Sequence, residues 1–376
     1  MTERGVYIHI PFCDHICAYC DFNKFFMKNQ PVDRYLDVLA EEMAQAAAIG
    51  SAKTVYIGGG TPTALTEKQL ERLLADACRF FSADRVDEFT VEANPENLTA
   101  EKLAVLKAYG VNRLSIGVQS FDDRLLKAIG RAHSADAARH AVQRAQRAGF
   151  DNVSLDLMFA LPGQTETMLR QSIAAALALS PQHLSIYSLQ VEPKTIFYNL
   201  KREGKLRLPG DAIEADMYAQ IIFELEKHGL KQYEISNFAH PGFEGQHNSL
   251  YWQNEEYFGI GAGAHGYVQG KRYANAGPLK PYFDAVRRSG TGHLLTHPVT
   301  DKEQMEEQLF LGLRLLAGVR RDTFARRFGC TLDSVYRQPI ADMTARGLLV
   351  DTDTGVRLTR RGLFLGNEVF EAFLLS

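Results

Sequence analysis

From residue 5 to about residue 238, short apolar runs alternate with longer segments whose apolar positions recur at helical spacing. Strand-length runs separated by amphipathic segments are the pattern of parallel strands joined by crossover helices. The predicted strands are Val6 to Ile10, Thr54 to Ile57, Glu88 to Glu92, Arg113 to Val118, Val153 to Met158 and Leu184 to Leu189. The helices between them have readable ends. Thr66 and Gln69 have capping-box spacing, Ser134 is placed to cap a helix, and Gly110 and Gly149 stand where helices stop. About six βα units result. They close partly into a barrel or spread into a doubly wound sheet, and periodicity alone leaves both open. Either way ligands gather at the C-terminal ends of the strands, where Gly58 to Thr61, Glu92, Gln119 and Asp156 fall.

After Phe238 the pattern breaks into a stretch dense in Gly, aromatic and His residues, holding HPGFEGQHNSLYW and FGIGAGAHGY. Beyond Asp301 it predicts a helix to Leu316, a second over Asp322 to Phe328, a third near Leu332 to Arg346, a two-stranded ribbon around Asp353 and Gly355, and a last helix. That order resembles a winged helix. The expected organisation is a core domain over 1–238, a loop-rich connector carrying the HNSLYW motif over 239–300, and a winged-helix-like domain over 301–376. A chain of 376 residues exceeds what one hydrophobic core usually organises, which agrees with that division.

Composition changes this picture little. At 45% hydrophobic and 23% charged, with a formal charge of -3, the chain reads as an ordinary globular protein with no pull toward nucleic acid or an anionic membrane. No run reaches the ~18 apolar residues of a membrane span, and the N-terminus lacks a signal-peptide core, so the expected location is cytoplasmic. In that compartment five cysteines are not expected to pair as disulfides.

Three of the cysteines do change the picture. Cys13, Cys17 and Cys20 form a C-x3-C-x2-C loop directly after the first predicted strand. Three thiolates on a short loop reach three corners of a cubane cluster and leave the fourth iron open to an outside ligand. The competing reading is a structural zinc site, with His15 as the fourth ligand; zinc, however, prefers four protein ligands and there is no second C-x2-C. Cys78 and Cys330 lie in or beside predicted helices and read as small apolar residues.

With an aromatic residue before its last cysteine, this loop is similar to the signature of the radical SAM superfamily. The resemblance implies a 4Fe-4S cluster on Cys13, Cys17 and Cys20, with S-adenosylmethionine chelated to the open iron. It also implies the fold class, α/β, with a partial (β/α) barrel ahead of the connector and the small C-terminal domain.

Gly-Gly-Gly-Thr-Pro at 58–62 lets backbone groups approach a ligand closely, and Glu92, at the end of its strand, can accept hydrogen bonds from hydroxyl or ammonium groups. Read alone, the first is a tight turn and the second a solvated strand end. Together with Tyr-Ile-His-Ile-Pro-Phe-Cys, Gly-Val-Gln-Ser-Phe and Leu-Pro-Gly-Gln-Thr they resemble the oxygen-independent coproporphyrinogen III dehydrogenase group over roughly the first 240 residues. The cofactor contacts this implies are Tyr7, Gly59, Gly60, Thr61, Glu92, Gln119, Arg131 and Asp156.

Two departures point to one branch of that group. The dehydrogenases have a fourth cysteine two residues past the third, where this chain has Phe22. The cluster loop also begins thirteen residues from Met1, so no N-terminal arm is expected to cover the site. With the His247 to Trp252 motif, these features resemble the HemW branch of heme chaperones along the full length. That implies heme as cargo, an acceptor protein, a homodimer, and transient contact with membrane-bound acceptors without a membrane span. The alternative is porphyrin metabolism proper, the oxidative decarboxylation of coproporphyrinogen III.

His247 is the first heme-ligand candidate, since neutral imidazole ligates heme iron and Tyr251 and Trp252 offer stacking faces. An isolated histidine among aromatics is more often a packing residue. His265, among glycines, is the second candidate, and His9 reads as packing near the cluster. The paired arginines of the tail raise the question of nucleic acid, but residues 301–376 hold eleven basic and eleven acidic side chains, so a packing or partner-docking role is the better reading.

Overall fold

Every strand of the core has two faces of opposite character, and this alternation builds the molecule. The structure, a computed structural model, describes residues 3–375. Strand β1 (Glu3–Ile10) leads into a short parallel pair, β2 (Phe12–Cys13) and β3 (Phe25–Phe26). Then follow β4 (Ser51–Gly59), β5 (Glu88–Ala93), β6 (Arg113–Gln119), β7 (Val153–Phe159) and β8 (His183–Ser188), each paired in parallel with the strand before it, β4 with β1. The six predicted strands are all present, most of them longer by one to three residues and the last starting one residue earlier.

Alternate residues of a strand face opposite ways. One set (Val6, Ile8, Val55, Ile57, Phe89, Val91, Leu114, Ile116, Leu155 and Leu184) is fully buried. These side chains pack in the same core as the crossover helices, each contributing about 1.5–3 kcal/mol on burial. The other set is polar: Tyr7 and His9, Thr54 and Tyr56, Glu88 and Glu92, Arg113 and Ser115, Ser154 and Asp156, His183 and Ser185. It faces the inside of the curved sheet.

Helix ends follow local chemistry. Thr66 and Gln69 close a reciprocal capping box on helix Glu67–Phe81, and the Ser134 side chain accepts from Ala137 N at the start of helix Ala135–Arg147. Gly110 and Gly149 follow helix ends with φ of +78° and +83°.

The segment 239–300 is not the loose connector its composition suggests. Beyond the short β9 (Lys231–Gln232) and β10 (Asn237–Ala239), which add to the β8 edge, it holds β11 (Tyr257–Ile260), β12 (His265–Val268), β13 (Lys271–Asn275) and β14 (His293–Pro298). Strand β11 pairs in parallel with β1 on the side away from β4, and β12, β13 and β14 continue antiparallel. The result is one twelve-stranded sheet whose edges, β14 and β9, are not paired with each other, so the barrel is partial. The glycines that read as loop instead allow tight crossing. A Cβ on Gly259 would lie 1.7 Å from the His265 carbonyl oxygen, and one on Gly266 2.2 Å from the Tyr273 ring. Glu42, buried on helix Val32–Ala47, ties this extension to the core by accepting from Gly261 N, Gly292 N, Asn275 and the Tyr282 hydroxyl.

The C-terminal part has its own core around Leu309, Phe324, Tyr336, Leu349, Val356 and Phe373. Helix Asp301–Gly312, β15 (Val319–Arg320), helices Arg321–Phe328 and Leu332–Ala345, and the hairpin of β16 (Leu349–Thr352) and β17 (Gly355–Leu358) give winged-helix order, with β15 as a third strand. Two short helices, Arg360–Phe364 and Gly366–Glu371, end the chain where one was expected, because Leu365 leaves helical geometry at φ −121° and ψ 28°. One arginine of each of two pairs is used inside the fold: Arg321 bridges Asp333 and Asp351, and Arg327 donates to the carbonyls of Gln253 and Asn254. No helix among the described residues is long and apolar enough to cross a membrane.

Candidate functional site

The C-terminal ends of the parallel strands open into one cavity of about 330 Å³. Its wall contains Cys13, Cys17, Cys20, Gly59, Gly60, Thr61, Glu92, Gln119, Arg131 and Asp156, ten residues that lie up to 143 positions apart in the sequence.

The cysteine loop is stapled to its surroundings through backbone groups. Thr61 N donates to Phe12 O at 2.8 Å, Met27 N to Cys13 O at 2.9 Å, Ala18 N to Ile129 O at 3.0 Å and Phe197 N to Ala18 O at 3.0 Å. Gly60 has no room for a side chain, since a Cβ there would lie 2.8 Å from Ile10 O and from Phe12 N. Gly59, at φ +112°, would press a Cβ to 2.4 Å from the His9 ring. These glycines carry the chain past the cysteine loop at contact distance. Gln119 reaches the mouth through a left-handed turn of the strand, φ +64°, at the bulge where β6 loses register with β7.

The donor set around the thiols suits a negatively charged iron–sulfur group. The Thr61 hydroxyl donates to Cys13 Sγ at 3.6 Å, and Arg131 Nη1 to Cys17 Sγ at 3.5 Å. Arg131 Nε is buried with no partner among the described residues. Burial opposes the Arg131 charge, but the groups around it, Tyr19, Cys17 and Glu96, hold it protonated. Burial pushes the Cys13 thiol up to about 11, so thiolate formation there needs a bound cation to favour it. Among the described residues no three His, Cys, Asp or Glu side chains converge on a point as a single metal ion requires. The three thiols nevertheless line one cavity.

Below the thiols the cavity wall is polar. Glu92 accepts from the Tyr56 hydroxyl at 2.7 Å and from Gly59 N at 3.1 Å, and burial raises its carboxyl above the usual range. Asp156 accepts from Ser115 at 3.0 Å, and burial together with the charge of Glu92 pushes it up to about 7. Arg113, buried, faces both carboxylates. Tyr7 stands beside this cavity and not in its wall, with its hydroxyl 2.9 Å from His9 Nδ1. His9 in turn contacts Asn23 O at 2.8 Å, the packing role expected of it.

His247 lies outside the cavity wall. It lies beneath the cavity, on helix Gln246–Trp252, which packs against the N-terminal half of the sheet. Glu88 accepts from the backbone N–H groups of Gln246 and His247, satisfying two of that helix's free amides. The ring is 1% exposed, its Nδ1 lies 2.7 Å from the Thr54 hydroxyl and its Nε2 2.7 Å from the Tyr251 hydroxyl. With both nitrogens engaged, neither faces an iron in this arrangement. Burial, with Arg113 nearby, lowers its pKa to about 3. Trp252 packs under Arg314, 4.5 Å from its guanidinium, away from the mouth. His265, by contrast, is exposed and makes no side-chain hydrogen bond to a described residue.

Several wall residues were not singled out from the sequence: Asn94, Arg113, Ser115, Ser185 and Asn248. Strand alternation would have found most of them, because Arg113 and Ser115 share a face with Gly117, and Ser185 pairs with Asp156. Asn248 carried no such signal, since its neighbour His247 points away.

The radical SAM superfamily profile matches residues 7–176, and the HemN C-terminal domain profile matches residues 299–365. Over 375 residues the chain is 51% identical to a Bacillus subtilis protein named heme chaperone HemW, covering 99% of each. A Lactococcus lactis protein of the same name is 45% identical over 373 residues, covering 99% of this chain and 98% of its own. Among solved structures, Escherichia coli coproporphyrinogen III oxidase HemN superposes with a TM-score of 0.86 at 23% identity, over 99% of this chain and 90% of that one. At that identity the likeness is one of fold.

Proposed function

For a chain that belongs to the HemW branch of the radical SAM superfamily, we propose the role of a heme chaperone that binds heme and passes it to an acceptor protein. The observation that carries this reading is Phe22. It stands where the dehydrogenases have a fourth cysteine, lines the cavity mouth and is 63% exposed. Phe26, paired with Cys13 across β2 and β3, is 55% exposed. Exposed aromatic rings on the segment after the cysteine loop offer apolar surface suited to a flat porphyrin.

Cys13, Cys17 and Cys20 would hold the 4Fe-4S cluster, and Gly59, Gly60, Thr61, Glu92, Gln119, Arg131 and Asp156 line the space for S-adenosylmethionine. When bound, the cluster supplies one-electron chemistry at its open iron. The protein's own contribution is positional: Arg131 and Thr61 direct donors at the sulfurs, and Glu92 and Asp156 present carboxylates to polar ligand groups. His265 is the favoured axial heme ligand, because its imidazole is exposed whereas that of His247 is enclosed. The cytoplasmic location, the homodimer and the transient meeting with membrane-bound acceptors belong to the same proposal.

The competing reading is the dehydrogenase, favoured by the shared fold alone. Anaerobic reconstitution followed by separate additions of heme, and of coproporphyrinogen III with S-adenosylmethionine and reductant, distinguishes the two. Stoichiometric heme uptake, seen as a shifted Soret band, without decarboxylated product is the expected result. Efficient conversion to protoporphyrinogen would overturn it.

A further inference from the structure

Asn94 lies between two of the cluster cysteines. Pro95 follows it, and a residue before proline is held in extended backbone; Asn94 has φ −95° and ψ 143° accordingly. From there its amide reaches two partners. Oδ1 accepts from Arg131 Nη2 at 2.7 Å, and Nδ2 donates to Thr61 Oγ1 at 3.0 Å. The same guanidinium donates through Nη1 to Cys17 Sγ at 3.5 Å, and the Thr61 hydroxyl donates to Cys13 Sγ at 3.6 Å.

The polarity of this chain is forced from one end. A guanidinium only donates, so the amide must turn its oxygen toward Arg131. The amide nitrogen then faces Thr61 and only donates, so the hydroxyl oxygen accepts there and its proton is left for Cys13. Arg131 Nη2 also donates to Gly117 O at 2.6 Å, so Asn94 and Gly117 together hold the guanidinium. One side chain that touches no sulfur thereby sets the donor on Cys13 and braces the donor on Cys17.

We propose that Asn94 is a positioning residue that raises the reduction potential of the cluster by directing the Thr61 hydroxyl onto Cys13 and steadying Arg131 against Cys17. This rests on the reading of the three cysteines as cluster ligands. Hydrogen bonds to cluster sulfurs favour the more negatively charged, reduced state, and partners that orient such donors tune the metal site in the same sense.

The test is an EPR-monitored redox titration of the reconstituted full-length protein without S-adenosylmethionine, with iron and sulfide determined on each sample. Asn94→Asp still accepts from Arg131 but competes with Cys13 for the Thr61 proton, and its potential is expected to be more negative than wild type. Thr61→Val shifts it the same way, and Thr61→Ser restores it. In a double-mutant cycle the shift from Asn94→Asp shrinks when residue 61 is already Val, because part of it passes through that hydroxyl. Equal Asn94→Asp shifts in both backgrounds, or an unchanged potential, would overturn the proposal. Asn94→Leu, which is neutral, serves if the Asp variant loads no cluster: a more negative potential supports the proposal and an unchanged one rejects it. Wild-type protein that takes up no iron and sulfide would remove the underlying cluster reading, an outcome distinct from a loaded cluster with an unmoved potential.

Discussion

His247 Nε2 and the hydroxyl of Tyr251, one helical turn away, lie 2.7 Å apart, and this contact closes the ring off from the cavity. With Nδ1 held by Thr54, the imidazole functions as an internal brace between strand β4 and helix Gln246–Trp252. His247→Ala leaves the buried Thr54 hydroxyl without its partner, at a cost of about 1–3 kcal/mol, and frees the half-buried Tyr251 hydroxyl. The expected outcome is a lower urea midpoint with heme affinity retained. Loss of heme binding in a fully folded His247→Ala protein, with His265→Ala unaffected, would reverse the assignment.

Acid stability should report the same burial. The folded pKa of His247, about 3, is below its ordinary value of 6.5, so the unfolded chain binds the proton first. The stability it contributes is present above about pH 6.5 and is lost as pH falls toward 3. His183, buried beside Arg113 and lowered in the same direction, adds to this. His247→Gln, which keeps a polar side chain but does not titrate, is expected to flatten the acid limb of a stability-against-pH curve measured by denaturant melts.

Asp156 gives the opposite sign. Its folded pKa of about 7 exceeds its ordinary 3.8, so the folded state keeps a proton that the unfolded chain has lost. Stability of the metal-free protein therefore falls as pH rises from about 3.8 to about 7, and the penalty is full above that. Asp156→Asn should raise Tm by a few degrees at pH 8 and leave it nearly unchanged at pH 4, as thermal melts at the two pH values would reveal.

Gly59→Ala tests the close approach behind the cysteine loop. A positive φ costs a residue with a Cβ about 1–3 kcal/mol, and here the Cβ would also meet the His9 ring at 2.4 Å. The variant is expected to lose stability and to reconstitute with a lower iron content, which iron analysis against wild type measures.

Phe22→Ala removes an exposed aromatic ring of the cavity mouth without touching the thiols. Taking about half of the 1.5–3 kcal/mol of a fully buried phenylalanine as its contact with a porphyrin, heme affinity should fall by about threefold to tenfold. Iron and sulfide content should not change. Unaltered heme affinity in a heme titration would place the porphyrin elsewhere.

How much of this was legible beforehand differs by type of residue. Strands announced themselves as short apolar runs between helical segments, because a sheet covered by helices on one face needs Val6, Ile8, Leu114 and Ile116 there whatever lies on the other. The cysteine loop was legible because its ligands are local, three thiols within eight residues. The strands of 239–300 are hidden in the sequence because glycine marks both looseness and close crossing. Tertiary contacts such as Gly259 against the His265 carbonyl and Gly266 against the Tyr273 ring distinguish them.

The amino-acid sequence by itself determined the order of βα units, the cluster loop and the absence of a fourth cysteine at Phe22, since each rests on neighbours along the chain. Tertiary structure alone decided that His247 is enclosed and His265 exposed, and that Asn94 joins Thr61 to Arg131. Hydrogen-bond partners 37 and 193 positions apart, as for Asn94 with Arg131 and Thr54 with His247, leave no periodic trace. The cysteine loop names a chemistry, but what surrounds its sulfurs is set by strands that meet only when the sheet has formed.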